Sequence, residues 1–197
     1  MAIENSQKPP FWLGFETLVS GGARMLLLLI GGVVVAAVLG WQVFETRFYR
    51  AAIPADIGLT FNFATTGSNV SLWGAMFHFD RKACGGAIFN LSDTSVAAIR
   101  ERGVDSLKNA RQGRGYTEKA DRSFSYYSYQ PWQATPLPSE WTSNGTWLGL
   151  SCMGLRDSVT RNILDAAQTA GSFYTTGQSA MLMVIPNLKI AVYTYTH

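Results

Sequence analysis

Histidine is nearly missing from this sequence. Only His78 and His197 occur in 197 residues, so a Ser-His-Asp or Cys-His mechanism would have to draw its general base from a supply of two. Cysteine is as scarce. Cys84 and Cys152 stand far apart and form no C-x-x-C pair, which excludes the usual zinc and thioredoxin-like redox motifs. No P-loop, dinucleotide fingerprint, haem C-x-x-C-H or HExxH motif is present. Charge is also thin at 15 % of residues, against 47 % hydrophobic and 13 % aromatic, and that balance excludes disorder for everything beyond the N-terminal tail.

What the chain does have is one long apolar run. Met25 to Phe44, MLLLLIGGVVVAAVLGWQVF, contains no charge. Its length suits a hydrocarbon core about 30 Å thick, which needs roughly 20 apolar residues at about 1.5 Å rise each. Arg24 closes one end, and Trp41, Phe44, Arg47, Phe48, Tyr49 and Arg50 form an aromatic and cationic collar at the other. Gly32, Ala36 and Gly40 follow at i, i+4 and i+8, so they share one face and form a small-xxx-small groove for a neighbouring helix backbone. The same spacing also arises by chance in Gly- and Ala-rich membrane helices. A cleaved signal peptide is the rival reading, but the run exceeds the usual h-region of about 7 to 15 residues and no A-x-A site follows it.

These features divide the chain into a tail (1–24), a transmembrane helix (25–44), a juxtamembrane linker (45–56) and one soluble domain (57–197). Within the tail, Phe11, Trp12, Phe15 and Leu18 fall near one face and suit a short interfacial helix. The remainder is long enough for one ordinary domain with its own core. Lys8 and Arg24 before the span balance Arg47 and Arg50 after it, so charge does not set sidedness. The cysteines favour a non-cytosolic, periplasmic domain held by one Cys84–Cys152 disulfide, whose loop of roughly seventy residues gives about 4 kcal/mol of chain-entropy stabilisation. Two separate thiols in a cytosolic domain are the alternative. Sequons at Asn69, Asn90 and Asn144 are too short a pattern to decide the setting.

Along the domain, Leu59, Phe61 and Phe63 alternate as a strand and Thr65 to Ser68 reads as a turn. Val70 to Phe79 reads as the returning strand, and Cys84-Gly85-Gly86 as a turn or bulge. Ser92, Asp93 and Thr94 offer N-caps for a helix interrupted near Gly103. Residues 112–146 read as a long irregular excursion with one strand at Phe124 to Tyr129. Trp147 to Cys152 reads as a strand, Asp157 to Thr169 as a helix, and MLMVI and LKIAVYTY as a hairpin around Pro186-Asn187. The expected class is α+β: a single transmembrane helix, then an antiparallel sheet covered on one face by about two helices.

Candidate chemistry is sparse. His78, Asp80 and Cys84 are near enough in sequence for a metal site, and with Cys152 they define the alternative of an anchored enzyme or metal-binding protein. A plain solvent-facing histidine explains the same pattern. Gly149 to Gly154, GLSCMG, has the outline of a nucleophile elbow but carries Met153 where glycine is required. Arg100, Arg102, Lys108, Arg111, Arg114, Lys119 and Arg122 outnumber four carboxylates in the same segment, and the excess equals the net charge of +3. That segment suits an acidic partner or anionic headgroups, or else is a solvated face; nucleic acid becomes a partner only if the domain faces the cytosol or handles DNA in transit. Trp132, Trp141 and Trp147, spaced by prolines, either make a protein interface or fold back over the sheet edge.

The sequence therefore points to a non-enzymatic subunit of a membrane-embedded complex, with other membrane-protein subunits and the lipid bilayer as partners. It calls for no cofactor, no metal and no small-molecule substrate.

Overall fold

The computed structural model describes residues 11–60, 64–68, 84–116, 127–142 and 147–196. The chain divides into two compact units, Met1–Gln42 and Val43–His197. The first helix, α1, spans Phe11–Arg50, so the unit boundary falls inside it. The expected span 25–44 is contained in this helix. The backbone does not stop there, because the segment read as a linker continues helical to Arg50 and only then turns. Gly14, Gly21 and Gly22 do not break it either: glycine costs a helix about 1 kcal/mol, which a long run of good formers such as Leu and Ala offsets.

Among the described residues, the second unit is built on six antiparallel strands: β1 (Thr65–Ser68), β2 (Cys84–Asn90), β3 (Gln133–Ala134), β4 (Phe173–Thr176), β5 (Ala180–Ile185) and β6 (Ile190–Thr196). Their order across the sheet is β1-β2-β6-β5-β4-β3. The β5–β6 hairpin forms as its composition predicts, with Ile185 opposite Ile190 and Pro186 to Lys189 in the turn. Lys189 there adopts φ 54°. Helix α2 spans Asp93–Arg102, and the Ser95 N–H donates to the Ser92 hydroxyl as its N-cap. Gly103 ends it at φ 57°, a conformation glycine takes without strain, and its N–H bonds back to the Ile99 carbonyl. A 3-10 turn, Gly103–Ser106, follows. Helix α4 (Asp157–Gln168) also forms where expected, burying Ile163 and Ala167.

Four expectations need correction. Thr65 to Ser68 is strand β1 rather than a turn, and Cys84-Gly85-Gly86 opens strand β2 rather than bending the chain. Glycine serves there because a side chain on Gly86 would run into the Tyr193 backbone. Trp147 to Cys152 is not a strand: Leu148–Ser151 forms one helical turn, α3. Spacing explains it, since Trp147, Leu150 and Met153 recur every three residues and are buried together. The fourth correction concerns the sheet, which is covered on both faces. On one side Leu182, Val184, Ala191, Tyr193, Ala87 and Phe89 pack with Val96 and Ile99 of α2. On the other, Met181, Met183, Ile185, Val192 and Tyr174 pack with Ile163 and Ala167 of α4. MLMVI has no polar alternation because both of its faces are buried.

Among the other expected strands, only an isolated bridge, Leu59 to Leu91, forms within 57–60. Residues Phe61, Phe63 and Val70 to Phe79 lie outside the described residues. Within the expected strand Phe124 to Tyr129, the described part makes one bridge, Ser128 to Gln112.

Candidate functional site

Helix α1 supplies the largest candidate surface. Its segment Arg24–Arg50 is, among the described residues, the one helix long and apolar enough to cross a membrane. Every side chain from Met25 to Leu39 is exposed. A Cβ added at Gly32 or Gly40 would meet nothing within 4 Å, so the chain itself leaves the Gly32, Ala36 and Gly40 face open. The collar expected beyond this stretch divides. Phe44 and Phe48 are exposed and stack on one another at 6.5 Å, whereas Tyr49 turns inward, with its ring 6.2 Å from both Tyr193 and Tyr195.

The cysteines lie where the disulfide requires. Cys84 at the start of β2 pairs with Cys152 just past α3, with Cα atoms 5.8 Å apart and a sequence separation of 68. Neither is then available as a nucleophile or metal-ligating thiolate. His78 and Asp80 lie outside the described residues, and among those described no group of three or more His, Cys, Asp and Glu is placed to hold a metal ion. The elbow-like GLSCMG segment is the α3 turn with its cysteine in the disulfide.

In the basic segment Arg100, Arg102, Lys108, Arg111 and Arg114 are all exposed, and three of them also bond to carbonyls of their own domain. Arg100 donates to the Pro186 carbonyl at 3.2 Å, and Arg111 to the Tyr129 carbonyl at 3.3 Å. Arg114 is the most committed: its guanidinium donates to the carbonyls of Ile53 (3.0 Å), Ala55 (3.4 Å) and Ile57 (2.9 Å). Partial burial, with Arg50 nearby, pulls its pKa down, and Asp56 opposes that. Lys119 and Arg122 lie outside the described residues.

The tryptophans divide as well. Trp132 is buried and donates to the Ala110 carbonyl at 2.7 Å; Trp147 is buried and donates to the Thr194 hydroxyl at 3.1 Å. Both fold back into the domain. Trp141 is 37 % exposed and keeps an open surface.

Sequence reasoning missed a cluster of tyrosines. Tyr49, Tyr129 and Tyr193 are buried in the same core cluster, with Tyr127 and Tyr195 against it. The Tyr129 hydroxyl donates to the Ala52 carbonyl at 2.8 Å. Burial raises the phenol pKa values of Tyr127, Tyr129 and Tyr193, so these groups stay neutral. The available signal was the i, i+2 repeat at 193/195, which puts both members of that pair on one side of strand β6; Tyr127, at φ 81°, is not in extended backbone. A scan against protein-family models and searches of curated proteins and of solved structures find no match to this chain.

Proposed function

We propose that this protein is a non-enzymatic single-pass subunit of a membrane-embedded multiprotein assembly. Its apolar helix docks among other membrane subunits, and its α+β domain meets partners on the periplasmic, non-cytosolic side. Two types of assembly suit such a subunit: an envelope transport or secretion machine, and a respiratory or photosynthetic complex. The observation that carries the reading is α1: an all-apolar exposed stretch with an open small-residue face, continuous with a helix end that belongs to the folded domain. The Cys84–Cys152 disulfide supports the oxidising side of the membrane.

Purification of the tagged chain in mild detergent, followed by mass spectrometry of what accompanies it, tests the proposal. A stoichiometric set of membrane subunits is expected, and a lone monomer overturns it. Gly32→Leu or Gly40→Leu fills the open face, so each should weaken copurification while insertion stays intact. Thiol labelling in intact cells checks sidedness: reactive, cytosol-facing Cys84 and Cys152 contradict the periplasmic domain.

A further inference from the structure

The last two turns of α1 separate by side. At about 100° per residue, Val43, Phe44, Arg47 and Phe48 fall on one arc of the helix and Glu45, Thr46, Tyr49 and Arg50 on the other. Burial follows the same division: the first four are exposed, and the second four are half-buried or buried. The second arc is bonded into the domain. The Thr66 hydroxyl donates to the Glu45 carboxylate at 2.7 Å, the Ala64 N–H to the Thr46 hydroxyl at 3.4 Å, and Tyr49 packs on Tyr193 and Tyr195. The domain thus begins inside the helix, at Val43.

We infer that the exposed arc of Val43, Phe44, Arg47 and Phe48 is a contact surface for the phospholipid headgroup layer. This rests on the reading of α1 as a membrane span. If the hydrocarbon core ends near Phe44, as a span beginning at Met25 requires, Arg47 and Phe48 lie about 5 to 6 Å further along the axis. That is the depth of the phosphates. The chemistry matches the depth, because aromatic rings settle in the interfacial zone and a guanidinium pairs with phosphate oxygens. The domain's first hydrogen bonds, at Glu45 and Thr46, then form at headgroup level.

The test uses the full chain in vesicles of phosphatidylcholine containing one part in four phosphatidylglycerol. Both described cysteines are paired, so a nitroxide on Phe48→Cys labels one site, and Leu188→Cys in the exposed β5–β6 turn is the reference. The Phe48 label is expected to be several-fold less accessible to a water-soluble nickel chelate than the Leu188 label, without dipolar broadening. Equal accessibility overturns the headgroup contact. Protection accompanied by dipolar broadening overturns it too, because a second copy then covers the arc. An alkaline carbonate wash separates the two readings: release of the chain defeats the span itself and this inference with it, whereas retention with a water-accessible Phe48 label defeats only the contact.

Discussion

Helices α1 and α4 follow opposite patterns. In α4, Ile163 and Ala167 are fully buried while Arg161, Asn162 and Asp165 face solvent, so the helix has one apolar side and the sheet covers it. In α1, Met25 to Leu39 is apolar all round and exposed all round. A one-sided pattern finds its cover within its own chain; an all-round pattern needs cover from elsewhere, which under the proposed function is bilayer and neighbouring helices. The change from one regime to the other happens inside α1, where Tyr49 already belongs to the core and Phe48 does not.

The largest expected effect tests the covered side. Cys152 lies between α3 and α4 and ties that layer to β2, so replacing both cysteines with alanine should destabilise the domain by about 4 kcal/mol. Denaturant unfolding of the domain in the full chain measures this. Vesicle insertion of α1 should be unchanged, and joint loss of both would break the separation between the two regimes. Next comes the boundary itself. Tyr49→Ala removes a buried ring and should cost about 3 kcal/mol, whereas Phe48→Ala, one residue away, should change stability by less than about 0.5 kcal/mol. Equal losses would move the boundary and cancel the assignment of Phe48 to an outer surface.

This boundary shows what was legible in the sequence. Hydropathy located the apolar stretch, capping residues located α2, and spacing located α4 and the last hairpin, because each signal is local. Tyr49 was read with its collar neighbours because nothing nearby reveals that β6 supplies Tyr193 and Tyr195 as its partners. Strands β1 and β2 were hidden for a related reason. Glycine in TTGS and CGGAIFN mimics a turn, while its actual role is close approach to Met153 and Tyr193, which are distant in sequence. The tryptophans and arginines were legible as candidates only. Whether an indole or guanidinium faces a partner or its own domain is decided by tertiary packing: Trp132 and Trp147 are turned inward, while Arg114 is exposed yet spends its guanidinium on carbonyls of its own domain.

A smaller effect separates the tryptophans. Trp147→Phe keeps most of the buried ring but removes the donor to the Thr194 hydroxyl, which is 2 % exposed, so it should cost about 1 to 2 kcal/mol. Trp141→Phe, at a half-open position, should cost less. If Trp141 instead proves the costlier site, the inward and outward assignments are reversed.

The smallest effect lies on the solvent side of α2, where Lys189 donates to the Asp93 carboxylate at 2.8 Å. That hydrogen bond, and then the lysine's charge, lower the Asp93 pKa. A carboxyl depressed on folding contributes stability above its unfolded value, about 3.9, and loses it as pH falls through the folded one. Both partners are well exposed, so water and salt screen the pair. Asp93→Asn should therefore lower Tm only slightly at neutral pH, less so at high salt, and the gap should close once the pH is below the folded pKa. A large, salt-resistant gap would mean that the pair is shielded from water, and that this outer face has cover of its own, as the apolar stretch of α1 must.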